Sequence, residues 1–131
     1  MRYTDALMKR VQEDIKRYKD HREVVRAGIL EVLTVRHLSP EKMHPNPEDE
    51  FSNPDVGPNE EILERYMEEA MKDMEANEIS FSTPVMVAKM DQGEYMIVNG
   101  HHRWAAAVKL GLLKIRVVVT NPGWEEIVGY L

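Results

Sequence analysis

Cysteine is absent from the 131 residues, which excludes disulfides and thiol catalysis and makes a cytoplasmic location the expectation. Long apolar runs are absent as well. No stretch approaches the ~18 residues of a membrane span, and the amino-terminal Lys and Arg precede no apolar core of the kind a secretory leader carries. Positive charge is in deficit: 17 Lys and Arg stand against 23 Asp and Glu, a formal net charge of −6. A protein whose main task is to neutralise nucleic-acid phosphates needs the opposite balance, so binding to nucleic acid on its own is not expected. No internal repeat and no low-complexity segment is present.

What remains is the composition of one globular domain, 43% hydrophobic and 31% charged with a mean hydropathy of −0.48, long enough to bury a core. Nine methionines read as adaptable core packing. Tyr3, Leu7, Val11, Ile15 and Tyr18 recur at steps of four, four, four and three, the stripe of an amphipathic helix over about residues 4 to 26. Residues 1–28 are therefore taken as a helical extension and residues 29–131 as the domain proper. The narrow stripe leaves a helix-mediated homodimer or a protein partner as an alternative use of the extension.

Gly28 is expected to end that helix, and Ile29 to Arg36 has the β-branched content of a strand. The following stretch from His37 to Pro58 holds five of the seven prolines and is expected to be loop, with a helical turn at Pro40 to Met43. A loop of that length in a small domain is commonly functional or disordered. From Pro58 or Asn59 onward, Ile62, Leu63, Tyr66, Met67, Ala70, Met71 and Met74 form the apolar face of a helix whose other face is acidic. Val85 to Met90 and Glu94 to Val98 read as a hairpin, Trp104 to Leu110 as a helix ending at Gly111, Lys114 to Thr120 as a strand, and Trp124 to Tyr130 as a short closing helix. The order predicts an α+β fold, a small mixed β-sheet with helices packed on it.

The chemistry concentrates at Val98-Asn99-Gly100-His101-His102-Arg103, where a strand turns at a glycine into a helix. The first amides of a helix lack internal partners and its dipole favours an anion there. Gly100 leaves the backbone approachable, and His101, His102 and Arg103 add donors. A phosphate or carboxylate site is one reading of this turn. A strand-to-helix connection with histidines that cap or pack, and an arginine bound to the protein itself, is the other.

The sequence from residue 29 on, with its Asn46-Pro47 loop, Pro84-Val85-Met86-Val87, the hairpin, Gly100-His101-His102-Arg103 and Ile115-Arg116-Val117-Val118, resembles the ParB/sulfiredoxin superfamily, also labelled ParB-like nuclease. The resemblance implies a ParB/sulfiredoxin-like fold that binds a nucleotide or another phosphorylated small molecule, with ATP or CTP and Mg2+ as cofactors. It further implies that Asn99, Gly100, His102 and Arg103 hold phosphate, His102 and Arg103 matching the family's His-Arg pair. His101 stands where sulfiredoxins carry a reactive cysteine, so reduction of sulfinic acids by that chemistry is excluded. Phosphotransfer or nucleotide hydrolysis would use His101 as acid or base and Glu48, with its neighbours Asp49 and Glu50, as base or Mg2+ ligand. A non-catalytic adaptor and a metal-dependent nuclease are the alternatives. For the latter, His37, His44, His101 and His102 show no helical metal-ligand spacing, and no metal site is assigned.

Overall fold

In the computed structural model, residues 3–18 and 24–121 are described. Helix α1 (Tyr3–Arg17) is followed by α2 (Ile29–Leu33), β1 (Arg36–Leu38), β2 (Met43–His44), α3 (Glu60–Glu75), β3 (Val85–Lys89), β4 (Tyr95–Asn99), α4 (His101–Leu110) and β5 (Ile115–Thr120). The five strands form one mixed sheet in the order β1-β5-β3-β4-β2. β3 pairs antiparallel with β4 and parallel with β5, β1 pairs antiparallel with β5, and β2 pairs parallel with β4. This is the α+β fold expected, with the central hairpin in place.

Two boundaries differ from the sequence expectation. Ile29 to Leu33 is helix, and only Arg36 to Leu38 is strand. Gly28 begins that helix rather than ending the previous one, its carbonyl accepting from Val32 N at 3.1 Å. Glu31 then reaches Lys89 at 3.0 Å, a side-chain bond to the neighbouring strand that a short helix can aim and a strand register would not require. The β-branched residues were a weak guide because packing overrides propensity in so short a segment. The first helix is described only to Arg17, and by Val24 the chain is extended, bridging Met90. The proline-rich stretch carries the expected helical turn at Pro40–Lys42, and also β2 and a second turn at Glu50–Ser52. β2 was invisible in the sequence because two residues between prolines show no alternation. The closing helix expected at Trp124 to Tyr130 lies outside the described residues.

β5 buries Ile115, Val117 and Val119 by alternation into the core cluster, while α4 packs on α3 and on β3. Leu63, Ala70, Phe81, Val85, Val87, Ile97 and Trp104 fill the cluster between them. The methionines divide: Met43 and Met90 are buried, whereas Met71, Met74 and Met86 are exposed. Trp104 anchors α4 to the loop region by donating its indole N–H to Pro40 O at 2.9 Å. Leu7 and Val11 of α1 join the same cluster.

A buried histidine fixes α1. His44 Nδ1 lies 2.6 Å from Asp14 Oδ2 and its Nε2 2.7 Å from Glu94 Oε2, with the Tyr18 ring packed on it at 4.0 Å and tilted by 38°. Burial works against the proton most strongly, yet the hydrogen bonds to the two carboxylates overcome it and raise the pKa above the usual 6.5. The cation bridging α1, β2 and the start of β4 is thus the favoured state. Because the folded pKa is raised, the stabilisation is fully present below 6.5 and is lost as pH rises through the elevated value. Urea denaturation of His44→Gln is expected to show a loss of about 2 kcal/mol at about pH 6 and a smaller one at about pH 9; equal losses at both would contradict the cationic bridge.

Candidate functional site

β4 runs into α4 with one residue between them. That residue, Gly100, sits at φ 102°, in the left-handed region that side chains disfavour. A Cβ there would lie 3.0 Å from Arg103 Nη2 and 3.2 Å from Val85 Cγ2. The sharp turn brings Asn99 at the end of β4 and the first turn of α4 to one place. Trp104 N is the first amide bonded back along the helix, to Gly100 O at 3.0 Å, and the amides of residues 101–103 precede it.

Arg103 is buried, 8% exposed, and its Nη1 is committed. Nη1 donates to Thr83 O at 2.7 Å and to Pro84 O at 3.0 Å, and the group lies 5.9 Å over the Tyr66 ring. Nε is buried with no hydrogen-bond partner. Arginine here stitches the segment before β3 to α4 and still keeps one unmatched donor.

The two histidines clamp the proline-rich loop. His101 Nε2 accepts from Asn46 N at 3.0 Å, and His102 Nε2 accepts from Asn59 N at 3.0 Å. An imidazole nitrogen that accepts an N–H carries no proton, so both rings are neutral with their hydrogen on Nδ1. Phe51, from the middle of the same loop, packs on both rings, at 5.2 Å from His101 and 5.1 Å from His102. Asn59 also caps α3, its Oδ1 accepting from Ile62 N at 3.1 Å. One dipeptide therefore holds both ends and the centre of the loop.

Burial is the largest influence on His101 and pushes its pKa down to about 4; Asp49 pulls it upward and His102 adds to the depression. His102 is lowered too, by burial, with Asp49 opposing. Asp49 Oδ2 lies 3.7 Å from His101 Nδ1, longer than a hydrogen bond, and accepts from Phe51 N at 2.9 Å.

Together these residues line an open cleft of about 400 Å³. Asn99, Gly100, His101, His102 and Arg103 form its floor, and Asp49, Ile62, Tyr66 and Val98 its sides. The sequence reading named those five floor residues. Glu48 is not among the lining residues; it borders a neighbouring hollow with Gln12 and Asn53, while Asp49 lines both that hollow and the cleft. The sequence reading left Asp49 undistinguished from Glu48 and Glu50, because nothing in a run of three acidic residues marks which one a turn will orient. The signal that could have found it is the Asp49-x-Phe51 cap that opens the short helical turn. Among the described residues, no group of three or more His, Asp or Glu is placed to hold a metal ion. No helix among them is long and apolar enough to cross a membrane.

The match to known proteins coincides with this architecture. The ParB N-terminal domain profile matches residues 26–129. The chain belongs to that family. A solved structure of the chromosome-partitioning protein ParB from Caulobacter crescentus, complexed with CTP-gamma-S, superposes with a TM-score of 0.52 at 26% identity, over 74% of this chain and 49% of that one. Sulfiredoxin from Arabidopsis thaliana shares the fold, with a TM-score of 0.51 at 22% identity over 74% of this chain and 94% of its own. The ADP-dependent L-serine kinase SerK of Thermococcus kodakarensis is 33% identical over 65 residues, 49% of this chain and 26% of the kinase. The chain thus spans about half of that ParB and about a quarter of the kinase.

The histidine clamp is acid-labile. Because the folded pKa of His101 is depressed, its contribution is fully present above 6.5 and is lost as pH falls through about 4. Protonation places an N–H against the Asn46 N–H and breaks the bond. Amide exchange at Asn46 and Asn59 is expected to accelerate as the pH falls from neutrality through that range, beyond the change in intrinsic rate and before the core strands open; unchanged protection would contradict the clamp.

Proposed function

We propose that the cleft binds a nucleotide by its phosphates and that the domain transfers a phosphoryl group from it to a small hydroxyl acceptor. The observation that carries the binding step is the floor of the cleft, where a left-handed Gly100 exposes the first amides of α4 beside a buried arginine whose Nε has no acceptor. A phosphate takes the helix amides beside the arginine's charge and accepts from the Nδ1–H that the neutral His102 keeps. The likeness to a ParB complexed with CTP-gamma-S and to an ADP-dependent serine kinase supports this reading and directs it to nucleotides.

The transfer step rests on Asp49. Its Oδ2 is used by Phe51 N, leaving Oδ1 to face an acceptor. The acceptor oxygen attacks the terminal phosphorus, the bond from that phosphorus to the nucleotide breaks, and the acceptor's proton passes to Asp49. His101, neutral and with its basic nitrogen occupied by Asn46 N, holds the loop in place rather than taking that proton. Mg2+ would be held by the nucleotide's own phosphates and water, because the one carboxylate lining the cleft, Asp49, is assigned as the proton acceptor.

Isothermal titration of ADP, ATP and CTP, each with Mg2+, into wild type, His102→Ala and Arg103→Lys tests the binding step. At least one nucleotide is expected to bind wild type and to weaken about tenfold or more in each variant, with thermal melts showing that both variants remain folded. Failure of all three nucleotides to bind at millimolar concentration would remove the proposal. For the transfer step, phosphorus NMR with serine as acceptor is expected to show a phosphate ester for wild type and none for Asp49→Asn, which should still bind nucleotide.

A further inference from the structure

The Asn99-Gly100 peptide carries a chemistry that the binding of an anion does not use. The chain has six asparagines. Asn46, Asn53 and Asn121 each precede a proline, whose nitrogen has no hydrogen to give up, and Asn59 and Asn77 each precede a glutamate. Asn99 alone precedes a glycine. A backbone nitrogen attacks the carboxamide of the residue before it to close a five-membered imide, and a following glycine, with no Cβ, leaves that approach open.

The fold leaves both reacting groups available. Asn99 is exposed at the end of β4, on the floor of the cleft. The ladder is irregular there: Asn99 stands opposite Met86 and Ile97 opposite Val87, so Val98 is an extra residue and the end of the strand is bulged. Gly100 follows the last residue of the strand and precedes the first of the helix. Among the described residues no backbone hydrogen bond occupies its N–H.

We infer that Asn99 is a site of spontaneous deamidation and that its product closes the anion site from within. Gly100 N gives its proton to solvent and bonds to Asn99 Cγ, the bond from Cγ to Nδ2 breaks, and ammonia leaves. Water then opens the imide. Cleavage between Gly100 N and Cγ yields aspartate, and cleavage between Gly100 N and the backbone carbonyl carbon of residue 99 yields isoaspartate, with the chain running through Cγ. Water enters, ammonia leaves, and nothing is oxidised or reduced. Either product sets a carboxylate beside the amides that open α4, where the helix favours a negative charge. That carboxylate occupies the place of an incoming phosphate and repels it. The loss of binding rests on the phosphate-binding reading of the cleft; the conversion of Asn99 does not.

The test incubates the full chain at mildly alkaline pH, folded and in urea, digests it at acid pH and reads each asparagine peptide by mass spectrometry for the exchange of an amide for a carboxyl. Conversion is expected to lead at Asn99, with isoaspartate among the products, and to run no more than about tenfold slower in the folded chain than in urea, since no opening of the fold is required. A folded chain protected far beyond that, or one in which another asparagine leads, would overturn the site. Asn99→Asp then tests the consequence with ADP, ATP and CTP, each with Mg2+, as probes. It is expected to keep the wild-type melting temperature, because the new carboxylate sits at the start of a helix, and to bind nucleotide about tenfold or more weakly. Equal affinity in wild type and Asn99→Asp would overturn the self-closure. Absence of nucleotide binding by wild type would instead remove the phosphate reading, and self-closure with it, while the mass spectra alone decide the conversion.

Discussion

The guanidinium of Arg103 is the contact on which the site depends. By donating to the carbonyls of Thr83 and Pro84 it ties the entry to β3 to the first turn of α4, and β3 is the strand that pairs with both β4 and β5. Its close approach to Gly100, where a Cβ would stand 3.0 Å from Nη2, couples this anchor to the left-handed turn. Neither feature is free to change alone. A side chain at residue 100 would push the guanidinium off its carbonyls, and loss of the guanidinium would leave the Thr83 and Pro84 carbonyls without this donor. The turn that exposes helix amides to the cleft is thus held by the sheet itself.

Around that fixed floor the wall is a loop that owes its shape to side-chain hydrogen bonds rather than to secondary structure. Prolines remove backbone donors and limit what the loop can pair with, so its few remaining amides matter. Asn46 N and Asn59 N go to the two histidines, Phe51 N goes to Asp49, and Ser52 Oγ donates to Asn46 O at 2.7 Å. The histidines serve this purpose only when neutral, and their burial keeps them so. The same burial that makes them good clamps makes them poor bases at neutral pH, which moves any proton-accepting role to the carboxylate beside them.

Periodicity made α3, the β3–β4 hairpin, α4 and β5 legible in the sequence, because each is long enough for its apolar pattern to repeat against the core. The floor of the cleft was legible for a different reason. A glycine between a strand and a helix implies a positive φ and a helix N-terminus, and both follow from local chemistry. What stayed hidden were features set by distant partners. α2 looked like a strand because five residues contain too little period to separate the two, and its contact from Glu31 to Lys89 is to a residue far along the chain. Asp49 could not be told from Glu48 without the turn that aims it. The role of His101 and His102 as clamps needed Asn46 and Asn59, 55 and 43 residues away in sequence.

α1 shows how a segment outside the family match can still shape the site. The matched region begins at residue 26, so α1 lies before it. Gln12 nonetheless donates to Ser52 O at 2.6 Å, inside the loop that carries Asp49 and Phe51, and Asp14 bonds His44 two residues before the first clamped amide. One face of α1 is therefore buried through Leu7 and Val11, while polar groups beside it hold the outer side of the cleft wall. The loop is gripped from within by α4 and from without by α1. A wall fixed on both sides can present a carboxylate at a constant height above the helix amides, and a flexible proline-rich strap bound at only one side could not.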